Sequence, residues 1–125
     1  MSSLFQEITE VLQVYFDGLY YSDTKRLAQV FHPNAIYVCA VDVPLKQLTM
    51  ESYFPIVDQR PSPASRNEQR RDKIVSIELA GNVTAIARVE CAIGSKHFID
   101  LLTLIRVSDR WQIISKVFHY DLSQK

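Results

Sequence analysis

From Arg71 to Tyr120 apolar residues tend to recur at every second position, and small or polar residues interrupt them at short intervals. Val75, Ile77 and Leu79 lead into Ala80-Gly81-Asn82. Val83 to Ile93 runs to Gly94-Ser95, His97 to Val107 runs to Ser108-Asp109, and Trp111 to Tyr120 follows. A period of two is the signature of a strand with one face buried, and the interruptions are turn-forming residues. Four strands joined by tight turns read as an antiparallel meander. Such a sheet must bury one face, and the rest of the chain has to supply the cover.

The first half has the other period. Phe5, Ile8, Leu12, Tyr15 and Leu19 are spaced by three and four, one face of a helix. Ser3 is its expected N-cap, with Gln6 as capping-box partner. Gly18 is a poor helix former, so the helix is expected to weaken towards Tyr20. Ser22 or Asp23 then caps a short second helix through Leu27, Val30 and Phe31, ended by His32-Pro33-Asn34. Ala35 to Val43 is apolar on both alternating sets, which predicts a strand covered on both faces and broken by Pro44. Met50, Tyr53, Phe54 and Val57 form a helical set, and Pro55 is compatible with it if that helix starts near Ser52. Arg60 to Gln69, with two prolines and two serines, reads as an exposed loop. Helices followed by a meander give an α+β fold in one domain, residues 1–125, the size at which a real core can be buried.

Charge excludes several function classes. Lys plus Arg and Asp plus Glu are 14 each, so no net field attracts nucleic acid or an anionic membrane. No apolar run approaches the roughly 20 residues of a membrane helix. Met1 to Phe5 has neither a basic nor an apolar leader region, and Cys39 and Cys91 have no metal-type spacing. The expectation is a soluble, cytoplasmic protein with reduced thiols, although a disulfide between the two is open. The three histidines are dispersed, which argues against a metal site. Arg60, Arg66, Arg70, Arg71 and Lys73 cluster, but Glu68 and Asp72 interleave them. A solvated loop is the plain reading and an anion contact the sharper one. No aromatic platform for single-stranded nucleic acid accompanies them.

The ordered set Tyr15-Phe16-Asp17-Gly18-Leu19, Asp23 and Phe31-His32-Pro33-Asn34-Ala35 resembles the start of SnoaL-like proteins of the nuclear transport factor 2-like superfamily. Phe98 to Ile105 with Trp111 to His119 resembles a narrower group, the Putative lumazine-binding family. The resemblance spans nearly the whole chain and is weakest from Lys46 to Gln69. It implies a cone-shaped, curved antiparallel sheet, an α+β barrel, packed on three N-terminal helices. It also implies an apolar pocket at the mouth and a homodimer through the outer sheet face.

The superfamily contains enzymes whose chemistry can be tested on these residues. Ketosteroid isomerases combine a helix-one tyrosine, a carboxylate base at the end of the first strand and a protonated acid on a later strand. By the resemblance Tyr15 matches the tyrosine, while the base falls near Cys39 and the acid near Thr103, neither a carboxylate. That argues against isomerase chemistry, since a buried thiol is a poor base. The Asp-Arg-Asp set of the fold's epoxide hydrolases is not found either.

What remains is a small-molecule-binding protein, non-catalytic or of unknown activity, with no cofactor expected and a small apolar or aromatic ligand as partner. The expected lining is Tyr15, Leu19, Phe31, Cys39, Tyr53, Phe54, Thr103 and Phe118. The alternative is a lyase, isomerase or cyclase using Tyr15 with Asp100 or His119. A third reading is an interaction module acting through the sheet face. Asp100 is the lone charge between Phe98 and Ile105, and Lys116 interrupts an equally apolar stretch. If the connecting loop has an odd number of residues, both share one sheet face as neighbours. They then either pair to fix register or form an acid–base site tuned by Lys116.

Overall fold

The computed structural model describes residues 3–123. Helix α1 (Leu4–Tyr20) is followed by α2 (Thr24–Val30), β1 (Phe31–Cys39), β2 (Lys46–Thr49) and α3 (Met50–Gln59). After a 3₁₀ turn (Ala64–Arg66) come β3 (Lys73–Leu79), β4 (Thr84–Ile93), β5 (Lys96–Val107) and β6 (Arg110–Leu122). The strands form one sheet in the order β2-β1-β6-β5-β4-β3. The expected α+β fold is present, with two refinements. The sheet is mixed, because β1 lies parallel to β6. It is also curved but unclosed, so no barrel forms.

Local chemistry explains the ends. Ser3 Oγ accepts from the Gln6 N–H at 3.1 Å, Asp23 caps α2 through the Lys25 and Arg26 N–H groups, and Thr49 caps α3 through the Ser52 N–H. Ser108 and Asp109 take φ of 52° and 61°, the left-handed pair that a two-residue hairpin requires.

Four expectations are corrected. Helix α1 does not weaken at Gly18. A Cβ there would stand 2.5 Å from Leu27 Cδ2, so glycine lets α2 pack directly on α1. Pro55 lies inside α3, not at its start, and is tolerated because it and Glu51, whose carbonyl loses a partner, are both exposed. Phe31 to Asn34 begin β1 instead of ending α2, and β2 was not anticipated. The outer side of β1 is not covered: Ile36 is 39% exposed.

The core lies between the inner sheet face and the helices. Ile8, Leu12 and Tyr15 of α1, Leu27 of α2 and Val57 of α3 meet Ala87, Val89, Leu102, Leu104 and Ile113 of the sheet. Burial of each large aliphatic side chain contributes about 1.5–3 kcal/mol. Two charged residues share this face: Asp100 is fully buried and Lys116 is 5% exposed.

Candidate functional site

Strand register places the two charges. Asp100 stands opposite Phe118, and Lys116 opposite Leu102 on one side and Tyr37 on the other. Asp100 and Lys116 are therefore diagonal neighbours on the inner face. The loop between their strands has two residues, an even number, which alone would send Lys116 outward. A bulge restores the face: Thr103 pairs with Ser115 and Leu104 with Ile113, so Ile114 is the extra residue. Trp111, Ile113, Lys116 and Phe118 all end up buried.

The two charges do not make a direct ion pair among the described residues. Asp100 Oδ2 instead accepts a 2.6 Å hydrogen bond from the Tyr15 hydroxyl, and Oδ1 is buried without a partner among the described residues. Lys116 Nζ reaches Tyr53 Oη at 3.4 Å. It also lies 5.1–5.6 Å from the ring centroids of Tyr15, Tyr37, Tyr53 and Phe118, within cation–π range. Burial alone would pull the lysine towards neutrality, but Tyr53 and Asp100, with Cys91 and Tyr37 behind them, outweigh it and hold the pKa above the ordinary value. Lys116 is thus an ammonium at neutral pH. Burial, then the Asp100 charge, pushes the Tyr15 hydroxyl well above its usual range, so Tyr15 keeps its proton. Burial likewise raises Tyr37 to about 12, against a smaller opposing pull from Lys116. The Cys91 thiol is raised to about 12 by burial and Asp100, so it is no nucleophile.

Above this charged floor opens a cavity of about 130 Å³. Tyr37, Tyr53, Phe98 and Phe118 wall it, Lys116 forms its floor, and Asp42, Lys46, Arg60, Lys96 and Tyr120 complete its polar lining. Tyr120 donates to Asp42 Oδ1 at 2.7 Å, and that bond raises its pKa; Lys96 lies 4.5 Å over its ring. Among the described residues no three His, Cys, Asp or Glu side chains come together as a metal site.

The expected residues divide. Leu19, Tyr53 and Phe118 line this cavity. Tyr15, Phe31 and Cys39 are buried without lining it, and both cysteines are free thiols. Phe54, with Phe31, borders a separate open groove between α2 and α3. Thr103 corrects the expectation: it sits on the outer face, because its neighbours Leu102 and Leu104 point inward. His119 is likewise outward, 2.9 Å from Asp121. Tyr15 does meet a strand carboxyl, at Asp100 instead of near Thr103, but its hydroxyl is spent on that contact.

Lys116 as a lining residue, Tyr37 and Arg60 were not anticipated. Tyr37 was findable, since it alternates with Cys39 on the inward set. The sequence places Arg60 in the loop cationic cluster, but the surface pairs there belong to its neighbours: Arg70 with Asp17 and Asp72, and Arg66 with Glu68.

The family model described as "Putative lumazine-binding" matches residues 3–119. The chain belongs to the Putative lumazine-binding family. Its relatives carry the same fold. An NTF2-like protein of unknown function from Shewanella baltica OS155 superposes with a TM-score of 0.84 at 25% identity, over 95% of this chain and 94% of that one. One from Methylobacillus flagellatus KT gives 0.81 at 26% identity, over 94% and 91%. Among curated proteins, aldolase FrzH of Cladobotryum sp is 25% identical over 120 residues, covering 94% of this chain and 92% of that protein. This member of the family thus has the NTF2-like architecture, with its charged floor beneath an aromatic-walled cavity.

Proposed function

We propose that this protein binds a small aromatic or conjugated molecule in the cavity above Lys116. The observation that carries the reading is the ammonium of Lys116, held 5% exposed under a cavity walled by aromatic rings. A buried charge is costly, and a purely structural core would be better served by an apolar side chain. The volume of about 130 Å³ decides the size: cavities near 150 Å³ hold one benzene-sized ring, so a larger ligand projects through the mouth. The family description also supports a small-ligand role. Native mass spectrometry of the purified protein, with amide chemical-shift mapping of any released or added ligand, tests it. Shifts clustered on Tyr37, Tyr53 and Phe118 are expected; binding confined to other surfaces refutes the reading.

A second reading, an aldol-type lyase, draws on the aldolase name of the distant relative and on the raised pKa of Lys116. An ammonium cannot form an imine, but it stabilises an enolate oxygen. In retro-aldol cleavage of a β-hydroxy ketone, Asp42 would take the hydroxyl proton. The carbon–carbon bond would break to leave an aldehyde, and the electron pair would settle on the carbonyl oxygen beside Lys116 and Tyr53. Reprotonation of the enolate carbon from Asp42 would complete the balance. Loss of turnover in Lys116→Met and Asp42→Asn with ligand binding retained supports it, and full turnover in either variant refutes it.

Pairing of two chains through the outer sheet face also belongs to this proposal, supported by Ile86, Leu101 and Val117, which are 42%, 44% and 42% exposed there. Sedimentation of wild type and Leu101→Lys tests it: a dimer dissociated by the substitution is expected, and a wild-type monomer at micromolar concentration overturns it.

A further inference from the structure

The polar groups around the cavity are unevenly matched. Lys46, Arg60, Lys96 and Lys116 line it, against one carboxylate, Asp42; Asp100 beneath the floor makes a second. Lys46 and Lys96 stand at the wet rim, where salt screens them. The other two cations are different. Lys116 has three N–H donors and, among the described residues, one hydrogen-bond partner, Tyr53. Arg60 lies just past the end of α3, and its Nε and Nη2 are buried without a partner among the described residues. Buried donors without acceptors are rare because each forfeits its solvation. Two such cations on one small cavity are therefore a feature to be explained.

We infer that the ligand of this cavity is an anion, an aromatic or conjugated carboxylate or enolate, whose oxygens take the free donors of Lys116 and Arg60. The inference rests on the binding reading above and names the chemical class of the ligand. The ring of such a molecule would lie against the wall that Tyr37, Phe98 and Phe118 form, with its oxyanion turned to Lys116 and Arg60. Guanidinium suits this role because its planar fork meets a carboxylate in a fixed geometry. Neutral analogues fill the same space but leave both cations unmatched. Cationic ones add repulsion.

The probes are trans-cinnamate and cinnamyl alcohol, which share a ring and a chain and differ in charge, titrated into the full-length protein by ligand-detected NMR. Hydrogen bonds to charged groups discriminate by about tenfold or more, so cinnamate is expected to bind at least about ten times more tightly. Arg60→Gln, a half-exposed position outside the core, should bring the ratio down severalfold without harming the fold. Lys116→Met should bring it near one. Lys46→Gln and Lys96→Gln should leave the ratio within about twofold, since rim charges contribute little. Equal binding of the two probes, or tighter binding of the alcohol, overturns the anion inference and leaves the pocket reading standing. A wild-type ratio that survives both Arg60→Gln and Lys116→Met also overturns it. If neither probe binds at millimolar concentration, both readings fall.

Discussion

The hydroxyl of Tyr15 donates a 2.6 Å hydrogen bond to Oδ2 of Asp100, joining α1 to β5 across 85 positions of sequence. Both residues are fully buried, and the second carboxyl oxygen has no partner among the described residues. Tyr15→Phe leaves the ring packing intact and removes the one donor that Asp100 has among the described residues. A cost of about 2–4 kcal/mol is expected, since a buried acceptor then keeps its full desolvation penalty. Urea denaturation of Tyr15→Phe, Asp100→Asn and the double variant measures it. A double variant as unstable as the two single losses summed would mean the pair is not coupled.

Asp100 also holds Lys116 in its charged state. Tyr53 raises the lysine pKa most and Asp100 next, so in Asp100→Asn it should fall from its wild-type position as desolvation meets less opposition. Reductive ¹³C-methylation followed by NMR titration reads this directly. Wild-type Lys116 should titrate above the surface lysines, and the variant at a lower pH than wild type. An unchanged titration would break the link between the two groups.

Stability should fall in alkali. Cys91, Tyr15, Tyr37 and Lys116 all have folded-state pKa values raised above their unfolded values. The folded chain therefore keeps protons that the unfolded chain gives up. Their contribution is complete below about pH 9 and is lost as pH rises from the unfolded values through the folded ones. Each group adds a slope of about 1.4 kcal/mol per pH unit inside its window. Denaturation midpoints should hold steady from pH 7 to 9 and drop steeply from 9 to 12. A flat profile over that range contradicts these shifts.

Gly18→Ala separates intrinsic propensity from packing. Alanine favours an isolated helix by about 1 kcal/mol, yet here its methyl would meet fully buried Leu27. Overpacking of about 1–3 kcal/mol should win, giving a net loss in thermal denaturation. A gain in stability would show that Leu27 moves aside freely.

Much of the fold was legible because the two periods are clean. The α1 face of Ile8, Leu12 and Tyr15, the caps Ser3 and Asp23, and the turns at Gly94 and Ser108-Asp109 follow from local chemistry. The region from Lys46 to Gln69 was the least legible: β2 has only four residues, and Pro55 hid the true start of α3. The site was read in part. Tyr53 and Phe118 stand in both the expected lining and the cavity wall, whereas Arg60 is hidden in a cluster of which Arg66 and Arg70 pair on the surface.

The sequence by itself determined the four strands of the meander, the turns between them, and that Asp100 and Lys116 interrupt otherwise apolar stretches. It did not determine that they share a face. A strand has a period of two, so one extra residue reverses everything beyond it. Only the paired strands reveal the bulge at Ile114, and that single residue turns Lys116 inward to the cavity floor.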